Sequence, residues 1–212
     1  MFGDEGLSEN GLRATFLAPM PWFSELSVQA LQPTNSTVFT DAHRSLAYLM
    51  KWNNLWDLSE SLTFEFGSSV LTHSAHDHSS NEENKTSMYG ADFTFKWRPL
   101  KNGNASSFMW STEFIHKDRS GTNNLKNSGL TTFVRHQLNR RWFTQLQYEH
   151  LGIGQNLGKD LNAYTGLIAF VPTEFSAVRL QYDSIHDGEP KPNKRVMLQL
   201  NISIGAHPAH MY

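Results

Sequence analysis

The stretch RVMLQLNISIGAHPAHMY, residues 195–212, closes the chain on a strict period of two. Val196, Leu198, Leu200, Ile202 and Ile204 interleave with Met197, Gln199, Asn201 and Ser203. Successive side chains of a strand point to opposite faces, so this run makes one apolar and one polar face. The same alternation recurs along the whole chain, and helical periodicity is scarce. It predicts about eleven strands: 12–19, 23–31, 45–55, 61–70, 88–99, 107–117, 130–138, 142–151, 163–171, 176–185 and the closing segment.

The stretches between these segments alternate in length. MPW, DLSE, NRR and PTEF are short and LKNGNAS is somewhat longer, whereas QPTNSTVFTDAHR, THSAHDHSSNEENKT, DRSGTNNLKNSG, GIGQNLGKDLN and HDGEPKPNKR are long and polar. Short turns on one side and long loops on the other are the pattern of an up-and-down outer-membrane barrel. No linker or low-complexity tract divides the chain, so residues 1–212 read as one domain.

Facing residues sharpen this reading. Phe93, Phe95 and Trp97, Leu62, Phe64 and Phe66, Leu146 and Tyr148, and Val178, Leu180 and Tyr182 share one set of faces. Their neighbours on the other face are rich in Gln, Thr, Ser and Asn with occasional charges, where a wet outer surface would carry many Lys and Glu. Trp22, Trp52, Trp56, Trp97, Trp142 and Tyr148 lie toward strand ends and suit interfacial girdles. Tyr212 suits the terminal aromatic of a closing strand that is read during insertion. The alternative is a soluble β-domain whose apolar faces pack inward.

Composition narrows the function classes. With 18 basic and 20 acidic residues the formal net charge is −2, and nothing suggests a nucleic-acid surface. There is no cysteine, so no disulfide framework and no thiolate metal site. Mean hydropathy is −0.48, and apolar runs such as LIAFV fall far short of the ~18 residues of a membrane helix. The start MFGDEGLSENG lacks the basic and apolar regions of a signal peptide.

The charged residues that alternation turns to the polar face are six basic, Arg13, Lys51, Lys96, Arg98, Arg135 and Arg179, and six acidic, Glu25, Glu65, Asp92, Glu113, Glu149 and Asp183. Equal numbers argue against a one-sided ring of charge, the usual device of a selective pore. They fit either cross-strand ion pairs filling a narrow lumen or a weakly selective wet channel. In the expected loop THSAHDHSS, His73, His76 and His78 with Asp77 offer imidazole and carboxylate ligands suited to Zn, and they compete with a reading as polar rim residues. His207 and His210, three apart around a proline, form a weaker pair. The carboxylate pairs at 4–5 and 82–83 read as solvated loop charge, GIG at 152–154 precedes no helix, and no G-x-S-x-G elbow is present. Nothing here points to an enzyme.

Counting back from a C-terminus on the turn side puts the start of the first strand on the loop side. With an odd strand count, this predicts the C-terminal part of a larger barrel, completed by an upstream segment or a partner chain. FGDEGLSENGLRATFLAP, RWFTQLQYEHL, FVPTEFSAVRLQYD and LQLNISIGAHPAHMY resemble the C-terminal half of a porin-like Gram-negative outer-membrane family. Its members are often labelled zinc-regulated or TonB-dependent outer-membrane receptor. The resemblance is collinear over nearly the whole chain, and these 212 residues contain neither a TonB box nor a plug domain. It implies outer-membrane location, contact with lipid, transport, and zinc as a candidate ion.

The expectation is therefore an all-β, antiparallel up-and-down transmembrane β-barrel that passes small solutes, divalent metal ions among the candidates. The alternative from a different class is a non-transporting interaction barrel completed by a partner chain.

Overall fold

The computed structural model describes residues 8–35, 38–39, 45–77, 82–101, 103, 105–121, 124–153 and 160–203, without the side chains of His76, Asp77 and Glu82. Eleven strands follow one another: β1 (Asn10–Leu17), β2 (Phe23–Gln32), β3 (Ala47–Ser59), β4 (Leu62–Asp77), β5 (Glu82–Trp97), β6 (Ser107–Ser120), β7 (Leu125–Gln137), β8 (Trp142–Leu151), β9 (Leu161–Thr173), β10 (Ser176–His186) and β11 (Asn193–Ile202). Each pairs antiparallel with its chain neighbours in a single sheet ordered β1 to β11. This is the up-and-down meander that the alternation predicts. The sheet is not closed: β1 and β11 are its two edges and do not touch.

An odd number of antiparallel strands has a geometric consequence. Connections 18–22, 60–61, 98–106, 138–141 and 174–175 join the strands on one side, the turn side, and the remaining connections join them on the opposite, loop side. Both β1 and β11 therefore run from the loop side to the turn side. Direct pairing of the two edges would be parallel.

The contrast in connection length is weaker than the sequence suggests. The connections after β4 and β6, residues 78–81 and 121–124, are only four residues each, while the turn-side connection 98–106 has nine. Pairing runs on into polar sequence, out to Asp77↔Glu82 between β4 and β5 and to Arg119↔Leu125 between β6 and β7. Backbone amides and carbonyls bond across a ladder without needing an apolar face, so strands continue where alternation fades. Gly121, at φ 123°, supplies the left-handed conformation that opens the tight β6–β7 connection.

The sheet has two unlike faces. One carries exposed apolar side chains in nearly every strand, among them Leu12, Met50, Val70, Trp97, Leu146, Leu180 and Leu198. The other holds most of the polar network. At its loop-side end that second face also carries an apolar cluster, in which Leu31, Ala47, Leu71 and Met88, with Leu49 and Ile115 beside them, pack around Val38 and Phe39. Val38 and Phe39 belong to the β2–β3 connection, and these two residues pack back onto the sheet.

Candidate functional site

Register decides which side chains share the polar face. Directly opposed residues lie on the same side of a sheet. The ladders link Arg13↔Gln29, Glu25↔Asn53, Lys51↔Ser69, Leu55↔Glu65, Gly67↔Asp92, Thr63↔Lys96 and Asp92↔Glu113. They continue through Arg135↔Gln145, Thr131↔Glu149, Arg179↔Ala169 and Asp183↔Thr165. Arg13, Glu25, Lys51, Glu65, Asp92, Lys96, Glu113, Arg135, Glu149, Arg179 and Asp183 thus lie on one face. Arg98 follows the last residue of β5, where its amide donates to the Ser61 carbonyl at 2.9 Å, so it sits at the turn-side rim.

Four charged residues of this face went unassigned in the sequence reading: Asp57, Lys117, Arg119 and Arg195. Strand parity would have found Arg195 from its neighbours Met197 and Gln199. Lys117 and Arg119 stand at or beyond the expected end of their strand. Among the described strand residues the face now has eight basic and seven acidic side chains, so the near balance of charge persists.

Much of that charge is paired across strands. Arg13 meets Glu25 at 3.0 Å, Lys96 meets Glu65 at 2.6 Å, and Arg195 meets Asp183 at 2.9 Å. Asp183 is the most tightly held. It is 2% exposed, one oxygen accepts two bonds from Arg195, and the other accepts from Thr165 and Gln181 at 2.8 Å each. Along β8 a ladder of donors runs one way: Arg135 Nε to Gln145 at 3.0 Å, Gln145 to Gln147 at 2.9 Å, and Gln147 to Glu149 at 2.7 Å. Both systems border a cavity of about 560 Å³ over β7–β11, with Arg135, Gln147, Thr165, Arg179, Asp183 and Arg195 in its wall.

Over β2–β6 the loop-side end of the same face is covered. Glu9 clamps the start of the β2–β3 connection, its carboxylate accepting from the Thr34 amide at 2.7 Å, the Thr34 hydroxyl at 2.6 Å and the Asn35 amide at 2.9 Å. The Asn35 carbonyl accepts from the amides of Val38 and Phe39 at 3.1 and 2.9 Å, and Arg119 donates to the Val38 carbonyl at 3.1 Å. Phe39 is 1% exposed and packs edge-on against His73, ring centroids 5.1 Å apart.

His73 therefore lies in strand β4 and is buried, where the sequence suggested a flexible loop. The Ser45 hydroxyl meets the Ser74 carbonyl and His73 Nε2, the latter at 3.0 Å, so this ring nitrogen is engaged within the fold. The His76 side chain and the whole of His78, His207, His210 and Tyr212 lie outside the described residues. Among the described residues no three His, Asp or Glu side chains gather as metal ligands.

On the apolar face the aromatic residues sort by height. Trp22, Trp56, Phe64, Phe95 and Trp110 form a continuous run near the turn side, with centroid separations of 6.1, 5.5, 4.6 and 6.0 Å. Trp142 and Phe170 extend it at 4.7 Å. Toward the loop side stand Tyr48, Tyr89, Tyr148, Tyr164 and Tyr182, with Tyr148 and Tyr164 5.0 Å apart and the Tyr148 hydroxyl donating to Asn162 at 2.8 Å. Trp52, which the sequence placed near a strand end, is mid-strand in β3, its indole N–H donating to Ser24 at 3.0 Å. Six residues separate Trp142 from Tyr148 and eight separate Trp97 from Tyr89, about 20–26 Å along a strand.

Comparison with known proteins yields one relative that bears on the chain. An uncharacterized protein of Aquifex aeolicus (strain VF5) is 25% identical over 252 residues, covering 100% of this chain and 53% of that protein. The chain thus spans about half the length of the curated relative it matches. No family model matches the chain, and no solved structure matches it.

Proposed function

We propose that these eleven strands form part of an outer-membrane β-barrel that passes small polar solutes along its polar face. The observation that carries this reading is the apolar face. It exposes large side chains from edge to edge, Leu146 at 71% and Leu198 at 74% among them, where a soluble monomer rarely exposes a contiguous patch beyond a few hundred Å². Trp and Phe bound this band on one side and Tyr on the other. Their separation along the strands compares with the apolar band of about 25 Å of an outer-membrane barrel. Barrel closure in this reading requires an odd number of further antiparallel strands, because both edges run the same way.

A second reading has its own observation. The cluster around Val38 and Phe39 covers one end of the polar face, and cross-strand ion pairs occupy more of it. That arrangement favours a barrel with a filled interior that serves as an interaction module. The resemblance to the zinc-regulated or TonB-dependent receptors supports an outer-membrane setting under either reading. Zinc as cargo gains no support from the described polar face.

The test is gel mobility of the detergent-extracted protein with and without boiling, followed by swelling of liposomes that contain it. A compact form that unfolds only on boiling, together with entry of small sugars, is the expected result. A heat-sensitive shift without swelling would select the filled barrel. Solubility without detergent and no shift would sink both.

A further inference from the structure

Resting on the passage of solutes proposed above, the distribution of paired and unpaired charge in the β7–β11 cavity identifies a solute class. Five charged side chains line that cavity: Arg135, Glu149, Arg179, Asp183 and Arg195. At the loop-side end, Asp183 is neutralised by Arg195, and Glu149 accepts from Gln147. At the turn-side end stand two cations. Arg179 is exposed and makes no ion pair or hydrogen bond among the described residues. Arg135 holds only the neutral Gln145 oxygen, with its guanidinium 5.5 Å from the Phe133 ring centre. Among the described residues no acid lines that end. Strands β8 and β9 lie between the two arginines and turn Phe143, Gln145, Leu167 and Ala169 to the cavity, none of which offers a counter-charge.

Two exposed guanidinium groups at one end of the cavity, away from Glu149 and Asp183, suit an anion, since each presents a fork of N–H donors matched to carboxylate geometry. The rest of the wall sets what the anion is attached to. Gln145, Gln147, Thr165 and Gln181 line the cavity with amide and hydroxyl groups that donate and accept, the complement of a polyhydroxylated body. The register row of Arg179 lies one step toward the turn side from that of Arg135, and Glu149 lies four residues from Gln145 along β8, about 13 Å away. An extended chain of six carbons is about half that length, so with its charge at the arginines its hydroxyls lie along Gln145 and Gln147 and stop short of Glu149.

We propose that this cavity is a binding subsite for small polyhydroxylated carboxylates, with Arg135 and Arg179 holding the carboxylate and the Gln145–Gln147 ladder the hydroxyl groups. Arg195 belongs to Asp183 and takes no part.

Gluconate and sorbitol are suitable probes, because they match in chain length and hydroxylation and differ in the carboxylate. The protein, purified from outer membranes in detergent and shown to be folded by its heat-dependent mobility, is titrated with each by calorimetry. It is then placed in liposomes for swelling assays, with valinomycin and potassium as counter-ion path. The expected result is binding of gluconate over sorbitol, faster entry of gluconate, and roughly tenfold weaker gluconate binding in Arg179→Gln, the loss of one charge-assisted contact. Arg135→Gln weakens it similarly, and Arg179→Lys retains most of the preference. Equal binding of the two probes, or unchanged gluconate affinity in folded Arg179→Gln, would overturn the subsite. Gluconate binding with no entry of either probe would leave the subsite standing and remove the pore. Entry of both at equal rates without selective binding would keep the pore and remove the subsite.

Discussion

At the scale of single residues, the polar face separates contacts that look alike on paper. Arg13–Glu25 and Arg195–Asp183 are both cross-strand arginine–carboxylate pairs. In the first, the side chains are 53% and 22% exposed, so water screens the attraction and the pair is worth at most about 1 kcal/mol. In the second, the carboxylate is buried and depends on its donors. Arg195→Met leaves that carboxylate with two neutral partners and is expected to cost about 1–3 kcal/mol, whereas Arg13→Met is expected to cost under about 1 kcal/mol. Urea unfolding of the folded protein in detergent distinguishes them, and equal losses would mean that burial of Asp183 carries no energetic weight. His73 illustrates how a single residue changes meaning with its surroundings. In sequence it is one of three histidines in a polar stretch; in the fold its ring closes a contact among Phe39, Ser45 and strand β4. Its spacing held no sign of that, because Phe39 and Ser45 meet it from another connection.

At the scale of the strand, the alternation of apolar and polar residues was legible because side-chain direction follows from local backbone geometry. Leu146 and Gln147 are neighbours in β8, yet one points to the apolar face and the other into the ladder of Arg135 and Glu149. If the apolar face meets lipid, Leu146→Arg costs about 2–4 kcal/mol, the depth-dependent penalty of a cation at the middle of a bilayer. Gln147→Arg, toward the polar side, costs far less. Comparing unfolding of the two variants in lipid vesicles checks the assignment of faces, and a smaller effect at Leu146 would reverse it. Strand ends were less legible. The hydrogen bonds of β4 and β5 continue through Thr72, Ser74, Lys85 and Ser87, where no apolar stripe marks the strand.

At the scale of the molecule, two features depend on how the strands come together. The parallel direction of β1 and β11 rules out antiparallel closure of these eleven strands on themselves. A second copy related by a two-fold axis parallel to the strands meets the same obstacle, since β11 of one copy would face β1 of the other running the same way. The second feature is the packing of Val38 and Phe39, from the β2–β3 connection, onto the polar face. Phe39→Ala removes an almost wholly buried ring and is expected to cost about 3 kcal/mol locally, while the eleven-stranded ladder and its heat-dependent mobility persist. Liposome swelling by small sugars should then rise, if Val38 and Phe39 narrow the path over β2–β6. An unchanged rate would place the whole path over β7–β11.

The sequence by itself determined the all-β class, the number of strands, their antiparallel order and which residues share a face, because each follows from the period of two and from the alternation of short and long polar connections. It also made the near balance of charge on the polar face countable. Only the tertiary structure decided that Asp183 belongs to Arg195, that Arg179 has no partner among the described residues, and that Leu31, Leu71 and Met88 gather under Val38 and Phe39 on the polar side. Those outcomes depend on register between strands and on the packing of Val38 and Phe39 onto the sheet, and both are set by contacts between residues distant in the chain.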